Sequence, residues 1–174
     1  MKSVLIAYAT KHGSTAEVAQ FMGEVLRERD FAVTIAAAET VESVAAYDAV
    51  LVGSPIYGGM WLTETSQFLE RFADALSQRP TYFWMTCIRV LEPGGFEHAQ
   101  HEYVYQPLMK RIGVRDVGVF AGKLKQEEIN WDDRWTLAAR YDGKDLPGTR
   151  DDDFRDWNAI RSWTVTVREA LAGG

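Results

Sequence analysis

Three short stretches of the chain carry hydroxyls, glycines and aromatics at spacings able to hold a ligand. The first is YATKHGSTAEVA (8–19). It sets the hydroxyls of Thr10, Ser14 and Thr15, the cations Lys11 and His12, and Gly13 between a strand-like run and a segment of helical periodicity. A loop entering a helix presents unpaired backbone N–H groups and the positive end of the helix dipole. Gly13 permits the tight turn such a nest needs. The chemistry on offer is phosphate binding without an arginine. The competing explanation is a plain helix cap from Ser14 or Thr15.

The second stretch, GSPIYGGMW (53–61), offers Ser54, Pro55, Ile56, Tyr57, Gly58 and Gly59. Pro55 stiffens it, the glycine pair lets backbone approach a flat ligand, and Tyr57 and Trp61 can stack on that ligand. The third, TCIRVLEPGG (86–95), brings Thr86, Cys87, Ile88 and Arg89, whose backbone could meet a ring edge. The chain contains neither a P-loop G-x-x-x-x-G-K-[ST] nor a G-x-G-x-x-G after its first strand. His98 and His101 stand three apart, but nothing near them completes a metal ligand set, so no metal site is expected.

These stretches need elements to hold them together. SVLIAYA (3–9), FAVTIAA (31–37), YDAVLVGS (47–54), TYFWMTCI (81–88) and VGVFAGKL (117–124) read as short apolar strands buried on both faces. Helical periodicity follows the first (Val18, Phe21, Met22, Val25, Leu26) and marks 63–77, 97–112 and 153–172, with a weak helix near 40–46. Strands alternating with helices predict an α/β fold, a parallel sheet covered on both faces. In the order 2-1-3-4-5, strands one and three flank the point where strand order reverses. The first two stretches follow those two strands and so belong at one site. The region 125–152 is a long polar connection after the fifth strand, with a short helix expected around WDDRWTLAARY (131–141).

The 174 residues suit one domain over 1–174, and 47% hydrophobic against 25% charged residues is ordinary globular composition. A net charge of −6 (19 basic, 25 acidic) argues against a nucleic-acid partner. The single cysteine, Cys87, and the lack of a leader-like or membrane-spanning apolar run lead to an expected cytoplasmic protein with no integral membrane segment. The oligomeric state is not legible.

Together the loops resemble the flavodoxin-like FMN proteins. The flavodoxin signature asks for an aromatic, a spacer, Ser or Thr, a small residue, Thr and Ala; here these are Tyr8, Thr10, Gly13, Thr15 and Ala19. Ala7 and Met22 depart from the strict pattern, away from the phosphate positions. The resemblance implies a three-layer sandwich around a five-stranded parallel sheet. It implies FMN, with residues 10–15 around the phosphate and 54–59 and 86–89 around the isoalloxazine, where backbone near Gly58 would tune the redox potential. Across its length the chain is most similar to the flavodoxin-domain group that includes the menaquinone-dependent protoporphyrinogen dehydrogenases, through FAGKLK (120–125), INWDDRW (129–135) and DFRDW (153–157). That implies an oxidoreductase passing electrons between FMN and a quinone, porphyrinogen or similar small-molecule acceptor. SPIYGGMW lacks the basic and histidine residues of that enzyme's loop. Two other functions fit the same residues: a flavodoxin-type electron carrier docking on a redox partner protein, and a regulatory module without FMN. Reducing equivalents would come from transient NAD(P)H, a partner or the substrate, since no room remains for a nicotinamide domain.

Overall fold

The structure, a computed structural model, describes residues 1–125, 127–128, 131, 135 and 151–173. Five parallel strands form its centre: β1 (Lys2–Tyr8), β2 (Phe31–Ala37), β3 (Ala49–Tyr57), β5 (Thr81–Thr86) and β6 (Val117–Phe120). Their order is β2-β1-β3-β5-β6, the expected 2-1-3-4-5 once a two-residue strand, β4 (Met60–Trp61), is counted off the edge of β3.

Alternation along each strand shows why the sheet is a middle layer. Val4 and Ile6 of β1, Leu51 of β3, Tyr82 and Trp84 of β5 and Phe120 of β6 pack on one face. They meet α1 (Ser14–Arg27) and α5 (Trp157–Gly173) through Val18, Met22, Leu26, Ile160 and Leu171. Leu5, Ala7, Val50, Val52, Phe83, Met85 and Val119 pack on the other. There they meet α2 (Thr63–Leu76), α3 (Gly95–Glu102) and α4 (Gln106–Ile112) through Phe68, Leu69, Ala99, Leu108 and Ile112. Both sides of β1, β3, β5 and β6 are thus apolar, whereas the edge strand β2 leaves Ala32 and Thr34 exposed; burial on two faces holds the three layers together. Gly53 lets one residue dominate: a Cβ there would sit 2.1 Å from the Trp84 ring, which fills the space instead.

Several elements differ from the sequence-based expectation. The third strand runs on to Tyr57, because Gly58 and Gly59, at φ 57° and 78°, make a tight hairpin turn into β4. The helix expected over 97–112 is two helices, α3 and α4, broken before Pro107 at the head of α4. The weak helix near 40–46 reduces to one 3-10 turn at Ala38–Thr40. The fifth strand stops at Phe120, and Lys123–Leu124 (β7) pairs antiparallel with Asp152–Asp153 (β8). The acidic run 151–153 therefore does not open the last helix. Asp156 caps it, accepting from the N–H groups of Asn158 and Ala159 at 3.0 Å each. Most of the 125–152 connection, including nearly all of the expected helix at 131–141, lies outside the described residues.

No helix among the described residues is long and apolar enough to cross a membrane, and they contain no metal-binding cluster of His, Cys, Asp and Glu.

Candidate functional site

Gly13 turns the chain after β1. It stands at φ 88° just before α1, and its N–H donates to Thr10 Oγ1 at 3.0 Å, closing the loop on itself. A Cβ at Gly13 would meet nothing within 4 Å, so the glycine serves backbone conformation rather than packing. No side chain caps the helix. Ser14 and Thr15 lie inside the first turn, and the plain-cap explanation fails. The first-turn N–H groups have no intrahelical acceptor either. An uncapped N-terminus beside a left-handed glycine is the backbone geometry that receives a phosphate.

Thr15 is buried, and its hydroxyl shares a 3.3 Å hydrogen bond with Thr86 Oγ1 at the end of β5. The first and third stretches, 71 residues apart, are thus tied directly together. The second joins them through register: Tyr8 lies opposite Gly53, and Pro55 opposite Thr86. Ala9 N–H donates to the Gly53 carbonyl at 3.0 Å. Three strand ends therefore converge where the strand order reverses.

Within that convergence the residues divide. Tyr57 faces the first loop: Lys11 Nζ lies 4.5 Å from its ring centroid and the His12 ring 6.3 Å away, edge on. Ser54 is buried and structural, donating to the Pro55 carbonyl and accepting the Leu62 N–H. Pro55 is buried and Ile56 half-buried opposite Trp61. Trp61 turns inward onto Phe83, with centroids 4.7 Å apart. That leaves Tyr57 as the aromatic beside the first loop. Cys87 is buried, and burial pushes its thiol up to about 11, so it stays protonated near neutral pH. Ile88 and Arg89 sit in a 3-10 turn (Ile88–Leu91). Arg89 pairs with Glu92 at 2.8 Å. Gly95 closes this turn, since a Cβ there would lie 1.8 Å from the Arg89 carbonyl oxygen.

Sequence reasoning missed two contributors. A small cavity of about 90 Å³ beside the first loop is lined by His12, Ser14, Glu17 and Tyr57 and by Lys123 and Lys125 from across the fold. Arg155, its side chain only 3% exposed, reaches the head of α1 from the segment after β8. Neither carries a local signal: the lysines stand before the long connection and Arg155 after it, and the β7–β8 pairing brings them together at the α1 head.

The family model for the flavodoxin domain matches residues 5–145, which span all three stretches. The chain belongs to the flavodoxin-domain family. FMN is the cofactor of that family, and the chain is a flavin redox protein. Protoporphyrinogen IX dehydrogenase [quinone] of Escherichia coli (strain K12) is 23% identical over 168 residues, covering 94% of this chain and 93% of that protein. Among solved structures, oxidised Flavodoxin 2 from Bacillus cereus aligns with a TM-score of 0.64 at 17% identity, covering 97% of this chain and 99% of its own. A flavodoxin from the domain Archaea aligns at 0.61 with 10% identity, over 98% and 99%. These two likenesses bear on the fold. The site fits the cofactor on its own terms, with an uncapped helix head for a phosphate and two glycine-relaxed turns beside it for a flat ring.

Proposed function

We propose that the chain is an FMN-dependent oxidoreductase that passes electrons between FMN and a quinone, porphyrinogen or similar aromatic acceptor. The observation that carries this reading is the end-to-end match to a quinone-linked protoporphyrinogen dehydrogenase, which extends through the connection after β6 instead of stopping at the sheet. In this reading Thr10, Lys11, His12, Gly13, Ser14 and Thr15 hold the phosphate. Ser54, Pro55, Ile56, Tyr57, Gly58 and Gly59 flank the ring on one side, and Thr86, Cys87, Ile88 and Arg89 on the other.

Bound FMN supplies the redox chemistry, accepting and releasing electrons at its ring system. The chain's own groups place and shield it. The α1 head offers N–H donors and a dipole to an anion. The Thr15–Thr86 bond keeps the phosphate loop in register with the ring-side turn. The Gly58–Gly59 turn leaves backbone, with no side chain, at closest approach. Cys87, held as a thiol, does no acid–base work near neutral pH, and Arg89 is neutralised by Glu92.

A flavodoxin-type carrier docking on a protein partner is the second reading, favoured by the near-complete alignment with Flavodoxin 2. Anaerobic reduction followed by stopped-flow reoxidation separates the two. Rapid multiple turnover with a soluble quinone supports the enzyme. Efficient reoxidation by a one-electron acceptor alone, with the quinone inert, overturns it.

A further inference from the structure

The Arg155 guanidinium is almost fully used. Nε and Nη2 grip both oxygens of Asp153 at 2.7 and 2.6 Å, and Nη1 donates to Glu17 Oε2 at 2.7 Å and to the Ser14 carbonyl at 3.1 Å. Its Cζ also lies 4.6 Å from the Trp157 ring centroid. Asp153 is itself fixed in β8, opposite Lys123. A bidentate carboxylate pair of this kind sets orientation as well as energy.

The bond to Ser14 is the informative one. A trans peptide unit is planar, with its C=O and N–H pointing in opposite directions. Gripping the Ser14 carbonyl from behind therefore aims the Thr15 N–H forward, out of the helix head and into the loop. Attraction is not the purpose: one guanidinium faces two carboxylates, Asp153 and Glu17, so its charge is met within the cluster and is not offered to a dianion.

We propose that Arg155 is the positioning residue of the phosphate loop, orienting the first turn of α1 for FMN and making flavin affinity depend on the segment that follows the long connection. The proposal rests on the loop assignment made under Proposed function. It assigns Arg155 a role through geometry, with no contact to the flavin.

The test titrates apo-protein with FMN and with riboflavin by flavin fluorescence, in the native chain and in Arg155→Lys and Arg155→Met, with folding checked by circular dichroism. Lysine keeps the charge but loses the fork. Both variants are expected to weaken FMN about tenfold, the size of one charge-assisted hydrogen bond, with riboflavin affinity unchanged. Equal loss of both ligands shows a general structural role and overturns the proposal. So does native discrimination retained in both variants. Retention in Arg155→Lys alone shows a role through charge and overturns it too. Should Arg155→Met fail to fold, the lysine variant decides. Native protein that binds riboflavin as tightly as FMN overturns the loop assignment itself, and the proposal with it.

Discussion

The two ends of the candidate flavin site are built differently. At the α1 head, Thr10 is committed to the Gly13 N–H, Thr15 to the Thr86 hydroxyl and Arg155 to two carboxylates and the Ser14 carbonyl, which leaves backbone N–H to face a ligand. At the ring end, the β3–β4 hairpin and the 86–95 turn are also pinned by backbone, through Gly58, Gly59 and Gly95, yet the side chains around them are left open. Met60, Leu91, Phe96 and Tyr105 are exposed apolar groups there. In the proposed reading, a backbone-built receptor suits an unvarying phosphate, and the exposed side chains are where an acceptor or partner would be met. The cofactor is therefore legible at family level, and the proposed reaction is to be tested at the open end.

This contrast can be broken from either side. The largest effect is expected for Gly13→Val. A β-branched side chain at φ 88° is costly, and FMN affinity should fall well over about tenfold with riboflavin much less affected. Gly95→Ala attacks the other end. Its Cβ would press on the Arg89 carbonyl and displace the 88–91 turn, lowering affinity for FMN and riboflavin alike by about tenfold. If Gly95→Ala weakened FMN alone, the division between phosphate and ring ends would be wrong. Thr15→Ala removes a buried hydroxyl bond that links the ends. A loss of about 1 kcal/mol, or roughly fivefold in FMN affinity, should appear in the same titration.

Acid should act through the clamp behind α1. Hydrogen bonding to Arg155 lowers the Asp153 carboxyl below its usual range. A carboxyl depressed in the folded state stabilises above its unfolded value of about 3.9, and that contribution is lost as pH falls through the lower folded value. Acid unfolding followed by circular dichroism from about pH 4 downward should therefore lose part of its pH dependence in Asp153→Asn. The smallest effect is expected at Cys87. With the thiol near 11, alkylation by iodoacetamide at pH 8 should be slow in the folded protein and fast only after unfolding. Rapid labelling of native protein would show the ring-side turn to be open.

Much of the fold and of the backbone geometry at the α1 head could be read in the amino-acid order. Apolar runs such as SVLIAYA and AVLV mark strands buried on both faces, and the strand-loop-helix order places the 10–15 and 54–59 segments at one edge of the sheet. Gly13 and the Gly58-Gly59 pair were recognisable because left-handed backbone selects glycine locally. Pro107, by contrast, split a helix that apolar periodicity alone joined, and the strand-like run 117–124 concealed a break before β7.

The order of residues by itself determined the layers, the strand sequence and the chemistry available at the helix head, because those depend on periodicity and on local backbone preference. Tertiary structure alone decided what each polar side chain does there. It paired Thr15 with Thr86, sent Trp61 into the core while Tyr57 faced the loop, and brought Arg155 to Ser14 from 141 residues away. Such contacts join segments distant in the chain, and no local pattern specifies them. They exist only once the sheet has set its register and the β7–β8 ribbon has returned the chain to the head of α1.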